Sequence, residues 1–232
     1  MSFQDRHVVV TGGTGALGVA VVGALLEQGA TCHVPYRSEE EAQRFPHREH
    51  KQISLTALGD LADEAAVMGY YGGITRLWAS IHIAGGFAFA PIEASDKALL
   101  MGQVETNLVS AYLCCRAAVQ AMRKGGGGRI VNVAARPALE PRTGASMTAY
   151  TASKAGLAGL TQALAEEGAK DGILVNAVAP SIMDTPANRA SMPKADFTSW
   201  PKVEEVAATI LFLASPQNAV TRGAIVPVYG RA

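Results

Sequence analysis

Tyr150 and Lys154 stand four residues apart in the stretch Tyr150-Thr151-Ala152-Ser153-Lys154. On a helix that spacing sends both side chains out of one face. A free phenol titrates near ~10, too high for ready proton exchange at neutral pH. A neighbouring ammonium stabilises the phenolate and lowers that value, and a second positive charge on a bound oxidised group would lower it further. The pair could therefore pass a proton to or from a reacting atom. A second constellation lies near the start, in VVVTGGTGALG, residues 8–18. Gly12, Gly15 and Gly18 allow a tight turn and close approach of the backbone to a pyrophosphate. Thr14, Ala16 and Leu17 complete the loop, where a helix would begin and offer free N–H groups and its positive dipole end.

A dinucleotide held there would lay its adenosine ribose at the end of the next strand. An acidic side chain at that end binds the ribose hydroxyls, whereas a basic one favours an extra phosphate. The chain has Pro35-Tyr36-Arg37-Ser38, with Tyr36 at about the acidic position. Arg37 can pair with a phosphate and Ser38 can donate to it. NADP is the expected cofactor, with NAD possible. The bland reading is a solvated arginine beside Glu39, Glu40 and Glu41.

These groups need a scaffold. Apolar runs that read as strands cover His7–Val10, Thr31–Tyr36, Trp78–Ile83, Arg129–Val133, Leu174–Val178 and Ile225–Val228. Helical periodicity covers Gly15–Gln28, Leu99–Lys124, Tyr150–Gly168 and Glu204–Ala214. Strands alternating with helices predict right-handed crossovers and a doubly wound, Rossmann-type α/β fold, a parallel sheet with helices on both faces. The 232 residues fit one such domain, and 49% hydrophobic residues suffice for its core. The four glycines at 125–128 are expected to turn the chain between a helix and a strand.

Composition narrows the function. Zero formal net charge gives no basic field for nucleic acid. No apolar run approaches the ~20 residues that span a bilayer, and no signal-peptide core follows Met1. A cytoplasmic protein acting on a small molecule is expected. Cys32, Cys114 and Cys115 form no C-x-x-C pair and read as buried thiols. His47 and His50 lack a third ligand, so no metal is expected.

Together the glycine loop and the Tyr150/Lys154 pair resemble the short-chain dehydrogenase/reductase family over nearly the whole chain. Gly59-Asp60-Leu61-Ala62-Asp63 resembles the family segment that touches the adenine. Ile83-Ala84-Gly85-Gly86 resembles its N-A-G turn, with His82 and Ile83 in place of asparagines. Asn107 matches the asparagine that supports a proton-relay water. Residues 175–180 match V-N-x-V-x-P, ending at Pro180, and Thr185 falls where the family binds the nicotinamide carboxamide. The resemblance also gives Lys154 a place on the nicotinamide ribose, and implies a homodimer or homotetramer.

One family residue is missing. The serine that polarises a substrate carbonyl is replaced by Ala135, after Ala134. Ser146 or Thr148 could stand in from the following loop. The quinonoid dihydropteridine reductase branch also lacks that serine. The chain is similar to it in MDTPANRASMPKADFTSW, residues 183–200, and in AGGF, ending at Phe87. Tyr36-Arg37 and Asn107 follow other members instead. Phe87, Ala135, Ser146 and Trp200 are the expected substrate contacts. The resemblance implies hydride transfer to a small conjugated acceptor, first among them a quinonoid dihydropterin. The alternatives are a carbonyl or 3-oxoacyl reductase using Ser146 or Thr148, and a catalytically weak cofactor-binding regulator.

Overall fold

The computed structural model describes residues 2–232. The chain runs β1 (His7–Thr11), α1 (Ala16–Glu27), β2 (Thr31–Tyr36), α2 (Glu39–Arg44), β3 (Ile53–Ala57), α3 (Glu64–Gly72) and β4 (Leu77–His82). It continues with α4 (Lys97–Val104), α5 (Ser110–Gly125), β5 (Gly128–Val133), α6 (Arg136–Leu139) and α7 (Thr148–Gly168). Last come β6 (Ile173–Pro180), α8 (Pro186–Ser191), α9 (Val203–Ala214) and β7 (Ile225–Val228). The strands form one parallel sheet in the order β3-β2-β1-β4-β5-β6-β7.

A parallel sheet must be covered on both faces, and side chains alternate between those faces along each strand. Val8 and Val10 of β1 pack with Val21 and Leu25 of α1 and Val206 and Ile210 of α9. Val9, between them, points the other way and packs with Leu113 and Met122 of α5 and Ala165 of α7. The six strands read from the sequence are all present. β3, α2, α3, α6 and α8 are additional. Ile53-Ser54-Leu55-Thr56-Ala57 is half-buried, so it carries no strong apolar run.

Two local features matter for the site. The helix expected over Leu99–Lys124 is instead α4 and α5 joined by a π-helical turn, Glu105–Val109, with Asn107 buried inside it. Such one-turn bulges shift the side-chain register and gather at functional sites. The second feature is a buried polar chain beneath β4 and β5. Asn132 Nδ2 donates to Thr161 Oγ1 at 2.9 Å, so its Oδ1 accepts from His82 Nδ1–H at 2.8 Å. His82 Nε2 then accepts from Ser80, and Ser80 Oγ from Tyr71, both at 2.8 Å. Each member is satisfied in one direction only, which fixes the imidazole tautomer. Burial holds His82 neutral, down to about 4. The network ties α3, β4, β5 and α7 together just behind the turn at 83–86.

Candidate active site

The strand order reverses direction between β1 and β4, the place where open α/β sheets bind ligands. A cleft of about 410 Å³ opens there. Gly12, Thr14, Gly15, Ala16, Leu17 and Gly18 form its floor. Gly15 caps α1 without a side-chain bond, and no acidic residue occupies the first turn. The free N–H groups and dipole end of α1 thus face the cleft, an arrangement that suits a phosphate. At Gly18 a side chain would strike the carbonyl of Gly12 and come within 2.5 Å of Gly13 Cα. Only glycine lets the helix sit that close to the loop.

One end of the cleft is walled by Tyr36, Arg37, Asp60 and Leu61. Tyr36 Oη donates to Glu39 at 2.9 Å. Among the described residues no carboxylate pairs with the Arg37 guanidinium. Ser38 Oγ caps α2 by accepting from Glu41 N, and its O–H remains free to donate. Glu41 lines the cleft, and its carboxylate accepts from Arg37 N at 3.2 Å. The S-x-x-E pattern of a helix start, Ser38 to Glu41, is the signal that could have found both placements.

The other end holds Ala84 and Gly85. A Cβ at Gly85 would lie 2.7 Å from Asn107 Oδ1 and 3.2 Å from Lys154 Nζ. That space is therefore reserved for the two polar side chains. Asn107 Oδ1 accepts from Gly86 N at 2.9 Å, and its Nδ2 donates to Gly86 O at 3.0 Å and to Ser153 Oγ at 3.2 Å. Gly86 lies outside the cleft lining, held by Asn107. The asparagine side chain thus clamps the 83–86 turn to α7.

Lys154 is buried, and its ammonium donates to the carbonyl of Val133 at 2.8 Å. Burial lowers it to about 8. Burial raises the Tyr150 phenol to about 12. The Lys154 ammonium is directed at Val133 O, and burial alone sets the direction of the Tyr150 shift. Phe87 packs edge-on against Tyr150, with ring centroids 5.1 Å apart, and is 62% exposed.

Residues 6–196 match the short chain dehydrogenase family. The chain belongs to that family. It is 33% identical to cis-4-hydroxycyclohexanecarboxylate dehydrogenase of Sinomonas cyclohexanicum, over 99% of this chain and 97% of that one. It is 32% identical to galactitol 2-dehydrogenase of Rhizobium johnstonii, over 98% and 97%. Among solved structures, ElxO with NADP bound superposes with a TM-score of 0.89 at 25% identity, covering 97% of each chain.

Within this short-chain dehydrogenase the position of the family serine is filled by methyl groups. Ala134 and Ala135 are both buried at the end of β5. Thr148 opens α7 two residues before Tyr150, about 200° around the helix. It lines a separate groove with Ile92, Leu100 and Ala152. Ser146 turns the chain in the left-handed region, φ 59°, and its carbonyl accepts from Ala90 N at 2.8 Å.

The remaining expected contacts fall on the β6 side. Pro180 ends β6, and Thr185 is buried as the cap of α8, its Oγ1 accepting from Asn188 N at 3.2 Å. Asp184 forms a two-point pair with Arg189 at 2.6 and 2.8 Å. Trp200 is buried against Phe197, ring centroids 5.0 Å apart, and anchors the end of the 183–200 segment.

Proposed function

We propose that the protein reduces a small, flat, conjugated acceptor with NADPH, and that a quinonoid dihydropterin is the lead acceptor. The observation that carries this reading is the pair of buried alanines beside an intact Tyr150 and Lys154. Ketone reduction gathers negative charge on one oxygen, and a positioned donor lowers that barrier. A conjugated electron-poor ring spreads the charge and has less need of the donor. The similarity of residues 183–200 to the pteridine branch points the same way. The relatives named above are not pterin reductases, so Ala135 and this segment bear the specific claim.

The residues fit a nicotinamide dinucleotide. The glycine floor and the start of α1 would hold its pyrophosphate, Asp60 and Leu61 its adenine, and Lys154 and Thr185 its nicotinamide end. The bound cofactor supplies the hydride. Tyr150 supplies the proton, and its raised phenol stays protonated at neutral pH, the form that reduction requires. Lys154 holds the nearby positive charge, and Asn107 fixes the turn that faces them both.

Ala135→Ser tests the acceptor class. It should leave dihydropterin reduction within about twofold and create weak activity toward a cyclic ketone. Loss of dihydropterin activity, or a large rise in ketone activity alone, would count against the reading.

NADPH preference rests on Arg37 at the cleft edge. Arg37→Ala should weaken NADPH by roughly tenfold to a hundredfold, the ~1.5–3 kcal/mol of a charge-assisted hydrogen bond. NADH binding should barely move. Fluorescence titration of both cofactors against both proteins checks this, and equal affinities in the parent would contradict it.

A further inference from the structure

The chain beyond β7 makes contacts that this chemistry does not use. β7 runs parallel to β6, so residues 229–232 leave the sheet at the same end as the loops after β5 and β6. On the β6 side, Ser181 Oγ donates to the carbonyl of Tyr229 at 2.8 Å. Arg231 N donates to the carbonyl of Ser199 at 2.8 Å, at the far end of the 183–200 segment. Between them Gly230 takes φ 65°, and a Cβ there would lie 2.8 Å from both Pro201 N and Ser199 O. On the β5 side stands Arg136, next to Ala135. Its guanidinium lies 4.8 Å over the Tyr229 ring, donates to the carbonyl of Ala232 at 3.0 Å, and pairs with Glu140 at 2.9 Å.

One short segment thus grips both loops. Its grip on the β6 loop is main-chain and local, through Ser181 and Ser199. Its grip on the β5 loop passes through Arg136, which is itself fixed by Glu140 just after α6, and through the Tyr229 phenol beside the same Glu140 carboxylate. A planar guanidinium can stack and donate sideways at once, which an ammonium cannot. Burial and the neighbouring Glu140 carboxylate raise the Tyr229 phenol, so the ring stays neutral under the cation.

We infer that residues 229–232 and Arg136 form a clasp that sets the separation of the two loops and so selects the acceptor. Arg136 is a positioning residue, acting through the loops. The inference rests on the reading that the acceptor lies between them beside Tyr150.

The test compares the full-length parent with Arg136→Ala, Tyr229→Ala and Tyr229→Phe. Hydrogen exchange is followed in peptides covering 136–147 and 183–200, alongside steady-state kinetics and NADPH titration. Arg136→Ala and Tyr229→Ala should speed exchange in both segments. They should raise KM for the acceptor on the order of tenfold, with kcat and NADPH affinity within about twofold. Tyr229→Phe keeps the ring face under Arg136 and loses only the hydroxyl beside Glu140, so its exchange and KM should lie between those of the parent and Tyr229→Ala. Unchanged exchange in both alanine variants would overturn the clasp. So would faster exchange with unchanged KM, or NADPH affinity falling in step with KM. A parent inactive on the dihydropterin would overturn the functional reading alone. The kinetics then use a cyclic ketone, and the exchange result still decides the clasp.

Discussion

Tyr150→Phe is expected to cut turnover by ~10²-fold or more while leaving NADPH affinity unchanged. The substitution keeps the ring that packs against Phe87 and removes the hydroxyl that carries the proton. The pH profile of the parent adds a second readout. Tyr150, raised to about 12, remains protonated across the working range. Lys154, lowered to about 8, carries its charge below that value and loses it above. Reduction should therefore fall as pH rises through about 8 and hold steady below it. Full activity in Tyr150→Phe would mean another proton donor. A profile flat well past pH 8 would remove Lys154 charge from the mechanism.

Gly18→Ala should lose cofactor binding by on the order of tenfold or more. The added methyl meets main-chain atoms of Gly12 and Gly13, which no rotamer change can relieve. Overpacking of this kind costs ~1–3 kcal/mol of stability. Gly102→Ala is the matched control. It adds the same methyl in α4, where nothing lies within 4 Å. Removing a helix-interior glycine there should stabilise by up to ~1 kcal/mol. Thermal melts and NADPH titration of the two variants check the pair. Equal behaviour would show that the loop yields, and that close packing at Gly18 does not shape the cleft.

The sheet was legible because its strands are buried on both faces and so read as apolar runs. β3 escaped because its five residues are only half-buried, with Ser54 and Thr56 among them. The glycine loop was legible from spacing, since steric exclusion acts on the backbone itself. Side chains were less so. The Ser38 hydroxyl caps the helix whose N-terminus it begins, a role that the S-x-x-E spacing signals and that leaves its hydrogen free. Trp200 ends a distinctive segment, but its packing on Phe197 is not readable from that segment's residues. The π turn at Glu105–Val109 left no mark in the periodicity, although it places Asn107 against Gly86. The dryness of the Tyr150 phenol, which raises it, leaves no mark in the spacing.

The most direct test of the central claim is kcat/KM of the parent protein with NADPH for a quinonoid dihydropterin and for a cyclic ketone, measured side by side. With Ala135 at the serine position, the dihydropterin should be turned over readily and the ketone poorly. A parent that reduces the ketone well and ignores the dihydropterin would contradict the account and return attention to Ser146 as the donor.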